Sequence, residues 1–175
     1  MHGNLWRRSD SLKAAWLSSQ SRAGGRIRTC SKSANGGMTA VEYRTHLSLW
    51  SMVSAPLIAG NDLRSMTLEI ADNLTNREVL AVDQDKMGKG GTRIASNGET
   101  EAWSRPLEGG AWAIALFNRG GAPNPVSVPW ASLQLKRVAS VRDLWAHADV
   151  KPGKIGFDAV VPAHGVVMLR VEGRR

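Results

Sequence analysis

A chain of 175 residues, 42% of them hydrophobic, is long enough for one sizeable or two small folded units, and its single cysteine, Cys30, excludes an internal disulfide framework. It holds neither a run of about eighteen apolar residues nor a basic-then-apolar leader pattern, so nothing in it reads as a membrane span or an address. The net charge of +8 raises nucleic acid or an anionic surface as a partner, but within residues 1–37 seven lysines and arginines stand against Asp10 alone, so only two surplus charges remain for the rest of the chain.

Residues 1–37 are rich in Ser, Gly and Arg and poor in apolar periodicity. That composition predicts a disordered or poorly packed remnant, with room for one short helix at about 10–19.

From Met38 the pattern becomes informative. Thr39 with Glu42 three residues on is a capping box, and Tyr43, Leu47, Trp50 and then His46, Leu49, Val53 follow at helical spacing, which predicts a helix closed by Pro56. Leu57-Ile58-Ala59 before Gly60-Asn61 reads as a short buried strand. A second helix is expected from Ser65 or Thr67, burying Leu68, Ile70, Ala71 and Leu74. Val79-Leu80-Ala81-Val82 reads as another buried strand. Residues 38–88 therefore predict βα repetition.

After Asp85 the glycines at 88, 90 and 91 make a connector into short runs rich in β-branched and aromatic residues. Strands are expected at 92–95, 99–106, 111–118, 126–129, 139–144, 157–161 and 166–172, separated by Gly, Pro and Asn turns. Their regular spacing predicts an antiparallel β-sandwich over residues 89–175. Ala111 to Asn118 is apolar on both faces, as a central strand would be.

The runs EYRTHLSLW, APLIAGNDLRSM and REVLAVDQDKMGK resemble the closing part of the catalytic barrel in α-galactosidases of the melibiase type, a family of retaining glycoside hydrolases, and the likeness extends from residue 38 to about 173. The resemblance implies a (β/α)8 barrel followed by an antiparallel β-sandwich, acting on terminal α-linked galactose without a cofactor or metal. A complete barrel takes roughly 250 residues, so only its last βα units fit here. The resemblance places the nucleophilic aspartate in a Lys-x-Asp-x-Cys pattern, and no lysine of this chain opens one.

Near the start, HGNLWRRSDSLKAAW is similar to the family segment Trp-Arg-x-x-x-Asp-Ile-x-x-x-Trp, whose arginine contacts the sugar and whose aspartate is the general acid and base. The resemblance thus implies substrate binding at Arg7. It puts Ser11 at the acid position, with Asp10 one residue early as a displaced candidate. A serine hydroxyl cannot protonate a departing glycosidic oxygen, because that step needs a carboxylic acid of raised pKa and, in a retaining enzyme, a second carboxylate about 5 to 5.5 Å away.

Where the family carries Pro-Gly-Arg-Trp-Ala-Asp-Pro-Asp-Met-Leu-Glu-Val-Gly, this chain has RAGGRIRTCSKSA. GC-rich codons for the family stretch, read one base late, translate into this chain's residues 22–33. Residues 22–34 are therefore expected to be an out-of-frame translation, with frame restored at Asn35. Too few residues also separate Trp16 from Ile27 for the helix and strand that the family places there. Resequenced codons incompatible with the one-base offset would remove the frame-shift reading.

The remaining polar candidates read as structural. Asp62, Asp83 and Asp85 follow expected strands, where catalytic groups of a barrel gather, yet Asp also caps helices and turns there, and that use outweighs sugar contact. His46 lies on an apolar helical face and His164 in the turn Pro162 to Gly165; a structural hydrogen bond fits each better than catalysis or metal. Of the seven tryptophans, most are expected in the core, with a sugar-stacking platform among the rest.

These observations leave an α-galactosidase fragment, inactive by itself, and a β-sandwich that binds carbohydrate or a partner without catalysis. A basic nucleic-acid binder is disfavoured by where the charge lies. The sandwich is expected to fold alone, with the βα segment loosely structured beside it.

Overall fold

The computed structural model describes residues 38–57, 64 and 66–174. Thr39 begins the first helix as its spacing predicts. Its hydroxyl accepts from the Glu42 amide at 3.3 Å and its amide donates to the Glu42 carboxylate at 2.7 Å, which satisfies donors at the start of α1 (Ala40–Met52). The helix is buried nearly all round, and Thr45 donates to His164 O at 2.8 Å while Ser48 accepts from Trp145 Nε1 at 2.9 Å; Ser51 Oγ is buried without a partner among the described residues.

Thr67 caps α2 (Leu68–Leu74), accepting from the Ile70 amide. Leu68, expected inside, is 85% exposed, and the buried residue of this helix is Asn73.

The strand expected at Val79 to Val82 is instead helix α3 (Arg77–Asp83). A four-residue apolar run does not distinguish strand from helix, and the capping residue decides. Asn76 Oδ1 accepts from the amides of Glu78 and Val79 at 3.0 and 3.2 Å, and Val79 and Val82, three apart, are the residues that become buried. The other strand expected before the sandwich, Leu57-Ile58-Ala59, falls outside the described residues except for Leu57, which carries no strand pairing.

Eight strands follow: β1 (Thr92–Asn97), β2 (Thr100–Pro106), β3 (Trp112–Asn118), β4 (Asn124–Pro129), β5 (Arg137–Asp143), β6 (Ala148–Val150), β7 (Gly156–Val161) and β8 (Val166–Arg174). Seven correspond to the expected runs. The additional one, β6, has three residues and no apolar alternation. They form a six-stranded antiparallel sheet, ordered β1-β2-β3-β8-β5-β6, and a two-stranded sheet of β4 and β7.

β3 lies inside the larger sheet, and both its faces are used. Ile114 and Leu116 pack with Val126, Val128 and Val161 of the smaller sheet, the sandwich core. Ala113, Ala115 and Phe117 face the other way and meet Leu47, Leu49 and Met52 of α1 with Val79 and Val82 of α3. Alanines at two of those three positions let a helix carrying Leu and Met settle close to the sheet. The result is three layers: small sheet, large sheet, helices.

The connector between helices and sheet is tied down at one point. Gly91 N donates to Met52 O at 2.6 Å, and a Cβ there would lie 2.9 Å from that oxygen, so only glycine passes.

Candidate functional site

Arg7 and Asp10 lie outside the described residues, as do Asp62, Trp6 and Trp16. The other candidates have definite surroundings. His46 is buried and its Nε2 accepts from Trp50 Nε1 at 3.0 Å, one helical turn away, a structural use. In the turn before β8, His164 N donates to Gly120 O at 3.1 Å. The Asp85 carboxylate receives the amides of Met87 and Glu108, at 3.1 Å and at 3.0 Å, and so holds two loops together.

Asp83 is different. It ends α3 beneath the sheet, and burial pushes its carboxyl up to about 6, against the opposing field of Arg105. Its Oδ1 is buried with no hydrogen-bond partner among the described residues. A carboxyl raised this far has the titration of a general acid, yet it does not line the cavity described below.

That cavity, of about 560 Å³, opens between α2, α3 and the turn joining β5 to β6. Its rear wall is rigid. Glu78 of α3 takes a two-pronged bond from Arg142 of β5, at 2.7 and 2.8 Å, and a third contact from His147 Nδ1 at 2.8 Å. The Arg142 hydrogen bond is the chief reason the Glu78 carboxyl falls to about 2; His147 adds to it and burial opposes. Asn76, while capping α3, also donates to Leu144 O at 2.9 Å and so ties the helix to the β5–β6 turn.

Arg44 of α1 forms one side. Its guanidinium lies 5.5 Å from the centre of the Trp145 ring, and its Nε donates to Asn73 Oδ1 at 3.0 Å. Trp145 is fixed in turn by its indole bond to Ser48. Asp72 and Arg77 complete the rim without a hydrogen bond or ion pair to another described residue.

Of the cavity's two carboxylates, Glu78 is held in its ionised form by Arg142, and Asp72 stands at the rim. Among the described residues no group of three or more His, Cys, Asp or Glu is placed to hold a metal ion. Sequence reasoning singled out none of the cavity's charged residues. Glu78 and Arg142 are 64 positions apart, and no local spacing announces such a pair.

Residues 32–85 match the family model described as Alpha galactosidase A, and residues 97–171 match the Alpha galactosidase C-terminal beta sandwich domain. The chain is 38% identical to an α-galactosidase of Coffea arabica over 93% of its own length and 47% of that relative. It is also 38% identical to alpha-galactosidase 3 of Arabidopsis thaliana, covering 41% of it. The solved structure of α-galactosidase I from Mortierella vinacea superposes on 92% of this chain and 43% of its own with a TM-score of 0.82 at 29% identity. A GH27 β-L-arabinopyranosidase from Geobacillus stearothermophilus superposes at 0.72 and 27% identity, over 77% of this chain and 31% of its own. The chain thus spans less than half the length of each of these relatives.

Proposed function

Residues 32–85 and 97–171 belong to the melibiase-type α-galactosidases, and on that premise we propose that the chain represents the closing barrel segment and β-sandwich of an enzyme for terminal α-linked galactose, without its catalytic pair. One observation carries the reading: both family segments occur in the family's order, packed on a common core, while the carboxylates described within them, the buried and unpartnered Asp83 apart, are spent on caps, ion pairs or solvent. The sequence has no Lys-x-Asp-x-Cys pattern and holds Ser11 where an acid is required. Arg7 as sugar contact and Asp10 as displaced acid belong to the same proposal.

One further feature supports a damaged start: the family match begins at Lys32, close to Asn35, where the reading frame is proposed to recover.

The test is hydrolysis of aryl α-galactoside and aryl β-L-arabinopyranoside by the purified chain. No turnover above a mock-purified control is expected, because losing nucleophile and acid together removes several powers of ten in rate. Turnover that co-purifies with the chain and survives removal of host enzymes would overturn the proposal, and its response to Asp10→Ala would show whether Asp10 supplies the proton.

A further inference from the structure

The cavity between α2, α3 and the β5–β6 turn has a construction that structural pairing does not account for. Two of its charged groups are locked, Glu78 by Arg142 and Arg142 by Glu78 and Asp149. Three others are held or left ready. Arg44 is braced by Trp145 and Asn73, and only its Nε is used in a hydrogen bond among the described residues. Asp72 and Arg77 are uncommitted. Asn73 is 4% exposed, and the Arg44 bond to Oδ1 settles which end of its amide is the amine. That Nδ2 is then left without a partner.

The chemistry of the lining selects among ligands. The cavity's own charges balance, Arg44 and Arg77 against Asp72 and Glu78, so it has no net field to gather an anion or a cation. It offers donors and acceptors side by side, on Arg44, Arg77, Asp72 and His147, with the partly buried Trp145 as an apolar wall. A hydroxyl both donates and accepts, and a polyhydroxylated ring also presents C–H surface to an aromatic; a neutral saccharide uses all of these at once. A volume of about 560 Å³ falls in the range of small-ligand sites.

We propose that this cavity is a saccharide-binding site, in which Arg44, Asp72 and Arg77 hydrogen-bond the sugar hydroxyls and Trp145 covers one side of the ring. The inference rests on the cavity alone, and whether the chain hydrolyses a galactoside enters neither outcome below.

The experiment is calorimetric titration of the full chain with galactose, with raffinose and, separately, with inorganic phosphate. At least one sugar is expected to bind with a dissociation constant below about 10 mM, and phosphate is not. Asp72→Ala and Arg77→Ala, both at the rim and free of structural bonds, should each weaken sugar binding about tenfold while the melting temperature stays unchanged. Trp145→Phe keeps an aromatic wall but loses the Ser48 bond, and it serves as a second reading if either rim variant melts early. Absence of binding by both sugars would overturn the proposal. So would sugar binding indifferent to these substitutions, or phosphate binding in place of sugar, which would make the cavity an anion site.

Discussion

Arg105→Ala should destabilise the chain by about 3–5 kcal/mol in urea unfolding. Arg105 sits on β2 with no exposed surface, a full cation inside the helix–sheet interface. Its guanidinium donates to Ser51 O at the end of α1, to Ser54 Oγ at 3.1 Å and to Asp83 O at the end of α3 at 3.2 Å. The chain therefore spends one buried charge to satisfy the carbonyls of two helix ends that water does not reach. Alanine leaves the Asp83 carbonyl unpaired, leaves Ser51 O with backbone amides of the helix end alone, and opens a cavity. Arg105→Met fills the space without restoring the bonds, so it should fall between wild type and alanine. A loss below about 1 kcal/mol for alanine would show that the helix ends find other partners.

The same residue governs a pH dependence. Arg105 is the opposing influence on Asp83, whose folded carboxyl titrates near 6 against an ordinary value of 3.8. A raised carboxyl means the folded state holds its proton longer than the unfolded state, so stability falls as pH rises from about 4 through 6, by about 1–2 kcal/mol once partial exposure is discounted. Glu78 works in the opposite sense: lowered from 4.5 to about 2, it stabilises above about 4.5, and that contribution is lost as pH drops toward 2. Stability should therefore peak near pH 4–5. Asp83→Asn flattens the upper limb, and Arg105→Ala moves it to higher pH because the cation that favours the Asp83 anion is gone.

Much of the fold could be read from local signals. The capping box at Thr39 and Glu42 forms as spaced, and seven of the eight strands fall on alternating or β-branched runs between turn residues. The apolar residues on both faces of β3 correctly announced a strand covered on two sides. The failures share a cause. Val79 to Val82 is too short for its periodicity to discriminate, and the capping asparagine just before Arg77 was the usable signal. Arg105 lies in a stretch correctly read as strand, yet nothing nearby in sequence says that its charge is buried, because its partners are 51 and 54 positions upstream and at Asp83. The cavity is invisible for the same reason. It is assembled from α1, α2, α3 and the β5–β6 turn, and its charges meet only after the helices dock on the sheet.

That docking also decides what happens when the two halves are separated. The sequence suggested a sandwich that folds alone beside a loose βα segment, but the packing runs through both. Trp103, Ala113, Ala115, Phe117 and Met168 of the large sheet are buried against Leu47, Leu49, Met52, Val79 and Val82 of the helices. Removing residues 1–88 would expose that entire sheet face, leave Arg105 without its acceptors, and free the Arg142 fork and the Leu144 carbonyl that Glu78 and Asn76 engage. A newly exposed apolar face of this extent on an antiparallel sheet drives association. The isolated 89–175 fragment is accordingly expected to aggregate or to unfold with little cooperativity, whereas residues 40–57 and 66–174 of the full chain should lose protease protection and hydrogen-exchange protection in one step. The Gly88 to Gly91 connector, although rich in glycine, should resist early cleavage at Gly91, where the backbone is bonded to Met52. A soluble 89–175 fragment melting as sharply as the full chain would refute this, and would show that the sheet tolerates water on the face that α1 and α3 now cover.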